Sequence, residues 1–139
     1  MNDERLREIA RAAKGHWGYD PQLVADWAAG IDFPPEEEVL VAERDGRVVA
    51  WASVVMRGEV AWLDDLWVEP AAMGLGVGRE LFERAAERAR ELGATRLEWE
   101  AEPNALGFYE RLGARYLRDS EPSEWGRTLQ VLGVDLRRR

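Results

Sequence analysis

The sequence predicts an α/β fold of the α+β type: a mixed, mostly antiparallel sheet with a central parallel βαβ pair, flanked by helices. Three observations predict it. Apolar residues recur at helical spacing within the first 27 residues. Alternating, β-rich runs punctuated by Asp-Gly and Arg-Gly pairs fill residues 39–68. A strand, a glycine-spaced turn, an amphipathic helix and another strand then occupy residues 60–101, the pattern of a parallel pair joined by a right-handed crossover.

Each element has its own signal. Leu6, Ile9, Ala10 and Ala13 share one helical face over residues 3–14, with acids early and Lys14 late as the helix dipole prefers, and Gly15 closes the helix. His16, Trp17, Gly18 and Tyr19 make an aromatic turn; Asp20 then caps a second helix that has Pro21 at its first position and runs to Trp27. His16 reads as structural or surface, with a substrate-side role open because its pKa lies near neutrality. The DFPPEEE stretch, residues 32–38, is a loop by its paired prolines. Residues 39–43 and 47–56 form a hairpin about Asp45 and Gly46, Arg57 and Gly58 turn again, and residues 60–68 complete a meander that Pro70 stops.

Beyond the glycines, Val77, Leu81, Ala85, Ala89 and Leu92 form one helical face, while Arg79 with Glu83 and Glu80 with Arg84 are spaced to pair on the other. Gly93 ends that helix. Residues 95–101 are the second parallel strand, residues 105–112 a short helix opened by Pro103 and Asn104, and residues 114–118 and 128–136 the last strands. Residues 119–127 form a polar loop containing Trp125.

Length and composition bound the function. At 139 residues, one domain spanning 1–139 is expected. No apolar run is long enough to cross a membrane and the amino-terminal residues are charged, so a cytoplasmic protein without membrane partners is expected. Zero cysteines and one histidine exclude disulfides, cysteine nucleophiles and most zinc sites; no metal is expected. A net charge of −8 argues against nucleic acid and mildly favours cationic or amine partners, although an acidic surface can also serve solubility alone. The seven tryptophans are mostly core candidates.

Gly74, Gly76 and Gly78 lie where a strand hands over to a helix, a geometry that presents backbone N–H groups to an anion. The spacing alone could serve packing. A dinucleotide fingerprint would need glycine where Arg79 stands, and a P-loop would need Gly-Lys-Ser/Thr, which is absent. Tyr109 follows the second parallel strand and by itself reads as a packing tyrosine.

Taken together, LWVEPAAMGLGVGRELF and, about 25 residues on, EPNALGFYERLGA resemble the acetyl-CoA-binding motifs of the GNAT superfamily of N-acetyltransferases. The order of elements resembles that fold over nearly the whole chain. The family's R/Q-x-x-G-x-G/A loop falls on Met73, Gly74, Leu75, Gly76, Val77 and Gly78. Met73 stands where Arg or Gln is usual, a change expected to weaken or reshape cofactor binding rather than abolish it. The family's opening β-strand has no counterpart ahead of the first helix. The resemblance implies that Leu66, Trp67 and Val68 offer main-chain groups to the pantetheine arm, that Asn104 faces the cofactor, and that Tyr109 is the general acid. A phenol with a pKa of about 10 stays protonated until a thiolate leaves.

An acceptor amine protonated at neutral pH needs a base or a water relay. Asp64 and Asp65 fall on opposite strand faces by simple alternation, and Glu98, Glu100 and Glu102 share one face of the neighbouring strand. Asp64, grouped with Leu66 and Val68, is the first candidate base and Glu100 the second. A backbone N–H near Val68 would hold the oxyanion. His16, Trp17, Tyr19 and Trp125 would border the acceptor. The expected activity is acetyl transfer to a primary amine of a small molecule or peptide, in a ternary complex; the alternative is a non-catalytic module binding CoA, an acyl-CoA or a protein. Tryptophan-rich edges are compatible with a homodimer.

Overall fold

Asn2 accepts a hydrogen bond from the Arg5 amide and so starts α1 (Asp3–Gly15), whose buried face carries Leu6, Ile9, Ala10, Ala13 and Lys14. The computed structural model describes residues 2–137; Met1, Arg138 and Arg139 of the expected 1–139 domain lie outside the described residues. The Asp20 carboxylate takes the Gln22 and Leu23 amides and caps α2 (Pro21–Ala29), which packs on α1.

β1 (Glu38–Arg44) and β2 (Arg47–Arg57) join through Asp45 and Gly46, whose φ angles of 55° and 75° are those a two-residue hairpin requires. β2 leads into β3 (Val60–Val68) through Gly58 and Glu59 rather than Arg57 and Gly58, because Arg57 still pairs with Val60 in the ladder. One 3-10 turn (Pro70–Ala72) follows, then α3 (Val77–Glu91), with Gly93 at φ 92° beyond its end.

The remaining elements are β4 (Arg96–Glu100), α4 (Leu106–Arg111), β5 (Arg115–Asp119) and β6 (Gln130–Asp135). The short helix expected over residues 105–112 divides into a 3-10 turn (Pro103–Ala105) and α4. The Arg79–Glu83 pair forms at 3.0 Å, but Glu80 and Arg84 do not pair. Because α3 lies across β1, Glu80 binds Arg44 and Arg84 donates to the Val41 carbonyl.

The sheet order is β1-β2-β3-β4-β6-β5, with β3 and β4 the parallel pair and every other neighbour antiparallel. One face, with Ala52, Val54, Leu63, Leu97 and Trp99, packs under α3 and α4. On the other, Trp51 and Trp67 meet α1 and α2, and the fully buried Trp51 indole donates to the Leu6 carbonyl at 2.7 Å. Two apolar faces of one sheet thus anchor the helices on each side.

Candidate active site between the parallel strands

Parallel pairing holds only from Val60 to Trp62 on β3 and from Arg96 to Glu98 on β4. Past those residues the two strands part, and a cavity of about 750 Å³ opens there. Strand residues 63–68, Trp99, Glu100, Glu102, Asn104 and Tyr109 line it, as do Met73, Gly74, Gly76, Gly78 and Arg79 from the loop and first turn of α3.

Gly74 and Gly76 have φ angles of 78° and 81°, and a Cβ at either would meet open space. Gly76 forms the left-handed cap of α3, and no side chain satisfies that helix start. The first-turn N–H groups are left for an outside acceptor, with Arg79 and Arg111 adding positive charge along the cavity. A pyrophosphate fits that donor set. Gly78 serves contact instead: a Cβ there would lie 3.2 Å from the Phe108 ring and 3.5 Å from Val68. Leu75 is 73% exposed and the Val77 side chain is buried under α3, so these two loop residues can offer only backbone.

The Tyr109 ring is packed against Trp99 at 4.9 Å and Phe108 at 5.1 Å between centroids. Its hydroxyl has no hydrogen-bond partner among the described residues, yet it is not one of the sealed polar atoms. Burial, reinforced by the Glu102 and Asp65 carboxylates, pushes the phenol above its ordinary value and keeps it protonated.

The carboxylates depart from simple alternation. Ser53 pairs with Asp65 and Val54 with Leu63, so Asp64 is the extra residue of a β-bulge. The bulge puts Leu63 and Leu66, three apart, on the same core face, so alternation no longer groups Asp64 with Leu66 and Val68, although all three line the cavity. Asp65 turns to the α1 side, where it accepts from Ser53 Oγ at 2.8 Å and Trp67 Nε1 at 3.0 Å. Burial raises its pKa despite those bonds. Asp64 lines the cavity, 3.8 Å from Arg57.

Glu37 was not a sequence candidate, since it lay in a charge run read as a loop. Its carboxyl is pushed up to about 8 by burial first, then by its hydrogen bond with Asp64 and the charges of Asp64, Asp65 and Glu36. Near neutral pH this favours the protonated form of the Glu37 carboxyl beside Asp64. Because the folded chain holds this proton more tightly than the unfolded chain, where the pKa is 4.5, the stabilisation is complete below 4.5 and is lost as pH rises through about 8. Urea unfolding at pH 5 and pH 9 should show the parent weaker at pH 9, with Glu37→Gln flattening the difference. Equal pH dependence in the two proteins would remove Glu37 as the group responsible.

The glutamates of the neighbouring strand also separate. Glu98 is buried between Arg96 at 2.7 Å and Arg118 at 2.9 Å, away from any acceptor, while Glu100 is exposed and lines the cavity. Glu102 accepts from Lys14 Nζ at 3.0 Å, from the Tyr19 hydroxyl and from Asn104 Nδ2 at 2.9 Å. Asn104 lines the cavity as expected, with its Nδ2 also 3.1 Å from the Tyr19 hydroxyl, so its carbonyl oxygen is the group open to a ligand.

Of the four aromatic residues expected around an acceptor, Trp17 lines the cavity and is 37% exposed. His16 packs on Trp17 at 4.9 Å without reaching the cavity, and Tyr19 and Trp125 pack on each other at 5.0 Å one layer behind. Lys14, assigned only to the helix dipole by sequence, is 1% exposed and holds Glu124 at 2.7 Å as well as Glu102. Among the described residues no group of three or more His, Cys, Asp or Glu side chains could hold a metal ion, and no helix is long and apolar enough to cross a membrane.

Comparison with known proteins places the chain in a family. A family model described as the acetyltransferase (GNAT) family matches residues 4–114. The chain is 41% identical over 71 residues to serotonin N-acetyltransferase 2, chloroplastic, of Oryza sativa subsp. japonica, a match covering 49% of this chain and 34% of that one. It is 28% identical over 130 residues to the peptidyl-lysine N-acetyltransferase YjaB of Escherichia coli (strain K12), covering 81% and 87%. The chain thus spans about a third of the first relative and most of the second. In fold it resembles an aminoglycoside 6'-N-acetyltransferase complexed with coenzyme A, with a TM-score of 0.75 at 14% identity over 99% of this chain and 92% of that one.

Proposed function

The chain belongs to the GNAT acetyltransferase family, and from that premise we propose that it moves an acetyl group from acetyl-CoA to a primary amine of a small molecule or peptide in a ternary complex. The observation that carries this reading is the partnerless Tyr109 hydroxyl, set in the cavity at the parting of β3 and β4. Bound acetyl-CoA would supply an activated thioester carbonyl. The backbone at Gly74, Gly76 and Gly78 would hold its pyrophosphate, with Arg79 nearby, and the main chain of Leu66, Trp67 and Val68 its pantetheine arm.

Tyr109 would then give its proton to the departing sulfur, and a backbone N–H near Val68 would face the developing oxyanion. Asp64, beside Glu37, and the solvent-facing Glu100 would be the groups to take a proton from the amine, directly or through water. Such an enzyme would act as one domain in the cytoplasm, without nucleic-acid or membrane partners. A homodimer is compatible with it, although Trp17 is the one exposed tryptophan among the described residues.

Acetyl-CoA-dependent release of CoA, measured with serotonin, thialysine and a lysine-containing peptide as acceptors, tests the reading. Release above the amine-free rate with at least one acceptor is expected. Binding of acetyl-CoA without release across a wider amine panel would favour a non-catalytic CoA-binding module, the reading that Met73 in the phosphate loop would then support.

A further inference from the structure

The reaction outlined above makes no use of Lys14, although it is among the most buried side chains in the chain. Its ammonium lies 4.7 Å from the Trp27 ring, 5.3 Å from Trp67, 4.9 Å from Trp125 and 5.5 Å from Tyr19, and it donates to Glu102 and Glu124. Four of these partners, Trp27, Trp67, Glu102 and Glu124, also line the cavity. They come from α2, from β3, from the exit of β4 and from the loop before β6. One point charge therefore fixes four separate pieces of the wall on the side of the sheet away from the phosphate loop.

The loop piece depends on it most. Residues 120–129 hold themselves by a few backbone bonds, with Ser123 N to Arg127 O at 2.9 Å and Gly126 N to Ser123 O at 2.9 Å. Trp125 stands in the left-handed region at φ 56°, a strained geometry for a tryptophan that surrounding contacts must hold. Arg127 provides a second tether, donating to the Tyr19 hydroxyl at 3.0 Å and lying 3.9 Å from Glu102, while inside the loop it bonds Glu124 at 2.7 Å. Removing Lys14 would leave Glu102 and Glu124 bridged through Arg127 alone, at 3.9 Å and 2.7 Å, without the buried ammonium that holds both at 3.0 Å or less.

We propose that Lys14 is a specificity-determining positioning residue, whose buried ammonium sets the position of the acceptor wall without touching the transferred acetyl group. This rests on the acetyl-transfer reading. The test is Lys14→Met, which keeps the length of the stem and its packing but removes the charge. In the variant, the KM for the acceptor active in the amine panel should rise about tenfold or more, since small displacements of a positioning wall carry costs of that order. The kcat and the Kd for acetyl-CoA should stay within about twofold.

Amide hydrogen exchange gives a second readout that needs no acceptor: the amides of Ser123, Gly126 and Arg127 should exchange faster in the variant while those of β2 and β3 do not. A lower Tm with acceptor KM and loop exchange both unchanged would make Lys14 a structural clamp only and overturn the proposal. Should the parent chain fail to bind acetyl-CoA, the acetyl-transfer reading fails on its own account. The exchange comparison still decides whether Lys14 sets the wall.

Discussion

Tyr109→Phe is expected to lower kcat about a hundredfold or more, the range for losing a positioned general acid, with little change in acetyl-CoA affinity or Tm. The Phe ring keeps the contacts with Trp99, Phe108 and Phe82, and the only group removed is a hydroxyl with no partner among the described residues. Nothing in the folding balance is then lost. Because burial raises the phenol pKa, the parent should show no loss of rate from Tyr109 deprotonation up to about pH 10. A variant with parental kcat would remove Tyr109 as the acid and leave the proton to solvent.

The second large effect is expected at the phosphate loop. Gly76→Val places a β-branched side chain at a φ of 81°, a conformation costing such residues about 1–3 kcal/mol. It also directs the new side chain into the open space beside the first-turn amides of α3. The Kd for acetyl-CoA should rise at least about tenfold, which is about 1.4 kcal/mol of binding, and Tm should fall. Gly46→Val separates the two causes. It imposes similar strain at φ 75° in the hairpin turn, and is expected to lower Tm with acetyl-CoA affinity unchanged. An affinity equally insensitive to both substitutions would mean that the loop does not hold the phosphates.

The legible parts of the fold were those governed by neighbours in sequence. Asp45 and Gly46 announce a hairpin because few other pairs tolerate two positive φ angles, and β3 runs over residues 60–68 as its alternation and Pro70 indicate. Gly74 and Gly76 were readable as a cradle because a strand, a turn and a helix succeed one another there, whereas Tyr109, by itself a packing tyrosine, was assigned to the site only by the family resemblance; all three line the same cavity.

What escaped depended on partners far away in sequence. The bulge at Asp64 reflects a register between β2 and β3, and strict alternation therefore does not carry through Asp64. Lys14 is buried because residues 102 and 124 bring carboxylates to it, whereas helical position alone makes it an ordinary last-turn lysine. Glu80 and Arg84 had suitable spacing, but β1 offered each a tertiary partner that no helical pattern contains. Glu37 owes its raised pKa first to burial and then to Asp64, 27 positions later in the numbering, neither of which a local charge run announces.

Isothermal titration of the chain with acetyl-CoA tests the central claim most directly. One saturable site per chain is predicted, with a Kd between about 1 μM and 1 mM, and with the same affinity in Tyr109→Phe and a weaker one in Gly76→Val. No binding heat up to about millimolar acetyl-CoA, or binding indifferent to Gly76, would contradict it.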